Sequence, residues 1–314
     1  MFRFFIILFF TLSSCSTNYP TNKWMENSSK PKILSTTAMI GALVSKIGQD
    51  EIDHLTLING DLDPHSYELI KGDDEKIKRA DVLFFNGLGL EHGASLHTAL
   101  YAHPHGIALG PYINKENLIY VDGYIDPHLW MDMSLWKKIV DPIANELALC
   151  DPGHADLFYQ RAEIVKQEIQ ATHEKIYNSL QHIPEQKRFL VSSHDAFRYF
   201  ARAYLKTPEE TTWEHRCSAP EGLSPEGAIG LGHIQEVLNY ICAHEIHIIF
   251  PESNVNQDAL KKIISVAHHK NLSLSLSKRP LFSDSLGPYD YLSMMEYNAG
   301  LLCECWEEST HASP

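Results

Sequence analysis

Residues 151–184 read DPGHADLFYQRAEIVKQEIQATHEKIYNSLQHIP. Asp151-Pro152-Gly153 has an acidic residue and a proline where a helix begins. No Pro or Gly interrupts residues 155–183. Leu157, Ile164, Val165, Ile169, Ile176, Leu180 and Ile183 recur at roughly helical spacing, and Pro184 ends the run. At about 1.5 Å per residue such a helix spans roughly 44 Å, enough to run the height of two lobes.

On both sides of this helix, short β-like runs alternate with helical stretches. Before it, residues 32–37, 54–58, 82–85 and 118–121 read as strands, with a helix over 42–47. After it, residues 188–193, 246–250 and 272–276 read as strands, and 229–243, 257–269 and 288–305 as helices. Strands separated by helices indicate βαβ units and parallel sheets. The expected fold class is therefore α/β, two βα lobes joined by one long rigid helix. The expected divisions are 31–150 for the first lobe, 151–184 for the linking helix and 185–314 for the second lobe.

A chain of 314 residues suits two lobes of ordinary size. With 44% hydrophobic and 21% charged residues the composition is globular. The net charge of −14 argues against nucleic acid, whose phosphates would be repelled. The N-terminus is basic at Arg3 and then apolar through residues 4–12, too short for a bilayer span of roughly 20 residues. It fits a secretory signal over residues 1–14. Leu12-Ser13-Ser14-Cys15 resembles the bacterial lipoprotein cleavage site, with Cys15 the lipidated residue. Residues 15–30 then form the lipidated N-terminus and a polar tether, which places the protein outside the cytoplasm, in the periplasm and anchored to a membrane. Five of the six cysteines remain: Cys150, Cys217, Cys242, Cys303 and Cys305. An odd count leaves one thiol free within the chain. Cys303 and Cys305 are too close to bridge each other comfortably, and Cys242 with Cys305 is one plausible pair, the pairing being left open by the sequence.

The chemistry is carried by an internal echo. Asp63-Pro64-His65 and Asp126-Pro127-His128 repeat one tripeptide 63 residues apart, each expected on a loop leaving the C-terminal end of a strand, where ligands of open α/β sheets bind. Proline stiffens the loop. Asp63 and Asp126 can accept a hydrogen bond from backbone or imidazole and set the tautomer. His194, in Ser192-Ser193-His194-Asp195, follows a strand of the second half in the equivalent place. Asp284 follows the last strand and supplies a carboxylate, with helix capping as the bland alternative. Glu252, after the strand at 246–250, points toward the same cleft as a residue supporting the ligands.

Six ordered segments carry a resemblance that covers nearly the whole mature chain. They are Asp63-Pro64-His65-Ser66-Tyr67-Glu68, Asn86-Gly87-Leu88-Gly89-Leu90-Glu91, Asp126-Pro127-His128-Leu129-Trp130, Ser193-His194-Asp195-Ala196-Phe197, Glu221-Gly222-Leu223-Ser224-Pro225-Glu226 and Ser283-Asp284-Ser285-Leu286-Gly287. The chain resembles the bacterial zinc/manganese-type solute-binding lipoproteins of ABC importers, and looks nearest to their chlamydial members. The resemblance implies His65 and His128 from one lobe, and His194 and Asp284 from the other, around one divalent transition metal. It also implies an ABC permease as membrane partner and a monomeric binding protein that is not an enzyme. Zinc-specific members often carry a long acidic, His-rich loop before the second ligand, for which residues 122–125 are too short. Some manganese members replace the third histidine with glutamate, whereas this chain keeps His194.

Three imidazoles and a carboxylate exclude calcium and magnesium, which want oxygen ligands. They suit zinc, manganese or ferrous iron, with intrinsic affinity favouring zinc over manganese. Trp130 and Tyr67 are expected to wall the site. Among the 18 histidines, His92, His97, His103 and His105 cluster as an accessory-site candidate, with solvated surface the simpler explanation. Two rival functions stand beside metal capture. One is a zinc hydrolase, disfavoured because catalytic zinc keeps an open position and no HExxH is present. The other is a surface adhesin with a structural metal.

Overall fold

Two short strands buried on both faces organise the first half. In the computed structural model, which describes residues 23–225 and 231–308, the chain enters through β1 (Lys32–Ser35), α1 (Ala38–Gly48), β2 (Asp53–Thr56), α2 (Asp73–Arg79), β3 (Val82–Phe85), α3 (Ala94–Ala102) and β4 (Gly106–Ala108). All four strands are parallel, in the order β2-β1-β3-β4. Successive strand side chains face opposite ways. Ile33, Val82 and Phe84 therefore enter the main core, while Leu34, Leu83 and Phe85 enter a smaller one under α2 and α3. Thr37 caps α1, its hydroxyl oxygen accepting the Ile40 N–H.

The fourth strand of this sheet is Gly106–Ala108, not the expected run at 118–121. Three residues are too few to show a period in the sequence. Ile119 is buried by packing, and the chain around it forms a small antiparallel hairpin, β5 (Tyr120–Val121) with β6 (Tyr124–Ile125). Beyond it lie α4 (Val140–Cys150) and the long α5 (Ala155–Gln181), whose 27 residues extend about 40 Å.

The second half repeats the first. It contains β7 (Leu190–Val191), β8 (Cys217–Ser218), α6 (Leu231–Ala243), β9 (Ile248–Ile249), α7 (Asp258–His269), β10 (Ser275–Leu276) and α8 (Tyr291–Glu308). β7 pairs with β8 and β9 with β10, all parallel, and the Phe250 N–H donates to Val191 O between β7 and β9. The resulting sequence β8-β7-β9-β10 matches β2-β1-β3-β4 strand for strand. Leu190 faces the main core, and Val191 faces the outer core beneath α6 and α7.

The main core runs through both halves. Phe158, Ala162, Val165, Ile169, Ile176 and Leu180 of α5 share it with Ile33 and Phe84 on one side and with Leu190 and Phe250 on the other. α5 packs on α1, α4 and α8. Close-packed interiors resist deformation, so the two sheets are held by one spine. The buried stripe runs 158-162-165-169-172-176-180, which leaves Ile164 on the solvent side at 54% exposed, contrary to its expected place.

Two further expectations are corrected. Residues 15–30 do not form a free tether throughout: Trp24 is buried in the outer core and its Nε1 donates to Asp53 O. Cys242 and Cys305 do not pair, since Cys242 is exposed on α6 while Cys305 packs against the main core on α8, and all five described cysteines are free thiols. The signal sequence, Cys15 and Glu226 lie outside the described residues.

Candidate metal centre

Each candidate ligand sits on a loop pinned by its own neighbours. His65 sits on the loop after β2, where Asp63 Oδ1 accepts its backbone N–H at 2.8 Å and Asp63 Oδ2 accepts the Ser66 hydroxyl at 2.7 Å. His128 follows the β5–β6 hairpin rather than a sheet strand. Asp126 Oδ1 accepts both its backbone N–H at 3.0 Å and its ring Nδ1–H at 2.7 Å. A carboxylate on Nδ1 leaves Nε2 as the free lone pair, the arrangement that metal-binding histidines use. His194 follows β7 and Glu252 follows β9. Glu252 Oε1 accepts the His194 N–H at 2.8 Å, and Oε2 stands 2.7 Å from His194 Nδ1, off the line of an ideal hydrogen bond. Glu252 Oε2 also accepts the Ser283 hydroxyl. Asp284 lies seven residues before α8 and so does not cap it; Asn254 Nδ2 donates to its Oδ2 at 3.3 Å.

The four side chains meet. His65 Nε2 is 3.2 Å and His194 Nε2 is 3.3 Å from His128 Nε2. Asp284 oxygens stand 3.8, 3.5 and 3.2 Å from the Nε2 atoms of His65, His128 and His194, and all the ligand atoms fall within 4.8 Å of one another. An ion with bonds of about 2.0–2.1 Å to four tetrahedral ligands would set neighbouring ligand atoms about 3.3 Å apart. No residue of the four is more than 4% exposed, and Asp284 Oδ1 has no hydrogen-bond donor. A buried carboxylate oxygen without a donor, facing three imidazole nitrogens, is a costly arrangement unless a cation completes it.

Electrostatics prepare the site unevenly. Burial pushes the His65 pKa well below its ordinary value, although Asp284 pulls the other way. The same burial acts on His194, but Glu252 and Asp284 outweigh it and raise its pKa well above the ordinary value. Burial works against the Asp284 charge, yet His194, His128 and His65 together hold its carboxyl far below the usual carboxylate range. Glu252 and Asp284 thus favour the protonated form of His194, with which an incoming ion must compete.

The other sequence candidates fall on both sides. Trp130 stands edge-on to His128, with ring centroids 5.3 Å apart, so it does wall the site. Tyr67 does not: its hydroxyl donates to Asp73, and its ring packs with the outer core. His92 lies beside His65 at the cleft mouth, with centroids 5.8 Å apart, while His97 packs on Tyr101. Among the described residues these histidines form no second group of converging ligands. Asn86 and Glu91, given no individual role in the sequence, turn out to position the ligands, and Trp130 does more than wall the site. Asn86, at the end of β3, donates to Pro127 O at 3.1 Å and so ties the first sheet to the His128 loop. Buried Glu91 accepts from Thr36, from Asn86 N–H and from Gly87 N–H, which holds the ends of β1 and β3 together. Trp130 Nε1 donates to Ser283 O at 2.7 Å, joining the His128 segment to the Asp284 loop. An Asn-Gly at a strand end is a visible turn signal, but nothing in it names Pro127 as the target.

Glu252 tests this architecture cheaply. The change Glu252→Gln keeps the shape but removes the charge behind His194, and is expected to weaken metal affinity about 10- to 100-fold. Chelator competition measures it. Unchanged affinity would reduce Glu252 to a purely structural part.

Comparison with known proteins places this arrangement. The family described as zinc-uptake complex component A, periplasmic, matches residues 33–305. Metal-binding protein YtgA of Chlamydia muridarum is 39% identical over 301 residues, spanning 94% of this chain and 91% of its own. Manganese-binding lipoprotein MntA of Bacillus subtilis is 28% identical over 281 residues, 88% of each. The crystal structure of Fe(III)-bound YtgA from Chlamydia trachomatis superposes with a TM-score of 0.84 at 37% identity, covering 88% of this chain and 98% of that one.

Proposed function

We propose that this chain, which belongs to the family of periplasmic zinc-uptake component A proteins, captures a divalent transition metal outside the cytoplasm and delivers it to an ABC-type importer. One observation carries the proposal. His65, His128, His194 and Asp284, drawn from two lobes, turn their ligand atoms toward a single buried point. Similarity to relatives described as binding manganese and Fe(III), within a family described by zinc uptake, supports the class of cargo. Imidazole and carboxylate together accept zinc, manganese or iron. Both Asp284 oxygens face the cluster, so the carboxylate can bind through one atom or two.

Four protein groups closing on one point suit holding an ion better than turning over a substrate, because catalytic sites leave a position for water. An ion bridging the lobes stabilises the closed arrangement by its binding free energy. The core shared along α5 opposes a wide hinge, so loading and release proceed by small tilts and loop shifts. In this reading Cys15 carries the lipid that keeps a monomeric protein near its permease. Among the described residues, no helix is long and apolar enough to cross a membrane.

Binding should depend on pH in a defined direction. His194 holds its proton above the ordinary histidine value, and the ion must displace that proton. Affinity is therefore expected to rise by about tenfold per pH unit, from about pH 6.5 upward until the raised His194 pKa is passed. His65 is already neutral there and contributes no such slope until the pH falls. For the metal-free protein the linkage is opposite: the stability from the raised His194 pKa is present below the ordinary value and lost as pH rises through the raised one. Titration calorimetry at several pH values reads the slope, and a flat affinity above pH 6.5 would contradict the His194 assignment. Elemental analysis of protein purified without added metal, followed by competition among zinc, manganese and iron, tests the function itself; protein that retains none of them and binds none would refute it.

A further inference from the structure

Asp61 makes contacts that metal coordination does not explain. It lies on the loop after β2 that carries His65, and its residue is exposed. Its Oδ1 nevertheless accepts from two hydroxyls of the opposite lobe, Ser253 at 3.0 Å and Ser285 at 2.9 Å. Those hydroxyls are 3.0 Å apart, so the three groups form one closed triangle across the cleft. Ser285 is fully buried and is the chain neighbour of Asp284; Ser253 is the chain neighbour of Glu252. The triangle thus joins the His65 loop directly to the two loops that hold the second lobe's carboxylates.

We infer that Asp61, Ser253 and Ser285 form a latch across the mouth of the cleft that slows release of the bound metal. The inference rests on the metal-capture reading above and extends it to kinetics. Hydrogen bonds to an ionised acceptor are the stronger kind. These two form only when the lobes are together, so they stabilise the closed state and leave the open one alone. Parting the His65 loop from the Asp284 loop would separate two of the candidate ligands, and the latch must break for that to happen. Asp61 touches no candidate ligand, so the chemistry of coordination is unchanged by its loss. Among the described residues, Asp122 and Tyr124, which line a second opening beside His65 and Leu223, make no hydrogen bond across it.

Asp61→Ala removes the acceptor, whereas Asp61→Asn removes the charge but keeps a carbonyl oxygen in the same place. In wild-type protein and both variants, loaded with zinc, stopped-flow transfer to a chromogenic chelator measures the dissociation rate, and metal analysis measures stoichiometry. Asp61→Ala is expected to release zinc about tenfold faster at unchanged stoichiometry, with Asp61→Asn, which keeps a weaker neutral acceptor, between wild type and Asp61→Ala. Equal release rates in Asp61→Ala and wild type would overturn the latch while leaving metal capture standing. Asp61→Asn releasing as fast as Asp61→Ala would replace the latch with a simple effect of charge. Wild-type protein that takes up no zinc, manganese or iron would overturn the capture reading and the latch together.

Discussion

Replacing His194 and Asp284 together with alanine is expected to lower metal affinity by about 1000-fold, on the order of 4 kcal/mol, while the protein stays folded. The two residues supply all of the second lobe's share of the cluster, and His65 with His128 alone cannot surround an ion. The fold survives because the supporting contacts are made by neighbours. Glu252 still accepts the backbone N–H at position 194 and the Ser283 hydroxyl, and Trp130 still donates to Ser283 O. With metal at 1000 times its dissociation constant, binding stabilises the native protein by about 4.1 kcal/mol. In a chain of this size that corresponds to a rise in Tm of about 6 °C. The variant should show no such rise. Thermal scans with and without metal measure it, and a retained shift would remove both residues from the site.

The second large effect belongs to Trp130, which supports the site from behind. Its side chain is fully buried, its Nε1 donates to Ser283 O at 2.7 Å, and its carbonyl accepts the Tyr291 hydroxyl at 2.6 Å. Its ring meets Trp136 edge-on, with centroids 6.1 Å apart. Trp130→Ala leaves a cavity where segments from both halves meet, and such truncations cost about 3–5 kcal/mol. Trp130→Phe keeps much of the ring but strands Ser283 O without its donor, at about 1–3 kcal/mol. The urea midpoint should therefore fall in the order wild type, Phe variant, Ala variant. Because Ser283 is bonded to Asp284 in the chain, metal affinity should fall in the same order. A midpoint for Trp130→Ala matching wild type would mean that the two halves do not depend on this contact.

The sequence shows some of this plainly and hides the rest for physical reasons. α5 was visible from its length and its bracketing prolines, since helical periodicity accumulates over 27 residues. Its true stripe is less so: Ile164 fits the spacing but lies about 100° around the helix from Val165, off the buried stripe, and faces water. The strands of the second half contribute two residues each to their ladders, and Gly106–Ala108 contributes three, too few for alternation to register. The paired Asp-Pro-His tripeptides stood out because their local chemistry is self-contained: Asp126 braces the histidine two residues away. His194 and Asp284 gained meaning only as partners of that pair. Asn86, Trp130 and Asp61 act through partners 41, 153 and 192 residues distant, and only the folded chain pairs them.

Crystals of metal-loaded protein, measured on both sides of the absorption edge of the bound metal, give the most direct test. A single anomalous peak is expected about 2.0–2.3 Å from His65 Nε2, His128 Nε2, His194 Nε2 and an Asp284 oxygen. A peak elsewhere, among His92, His97, His103 and His105 for instance, with nothing between those four side chains, would contradict the shared site.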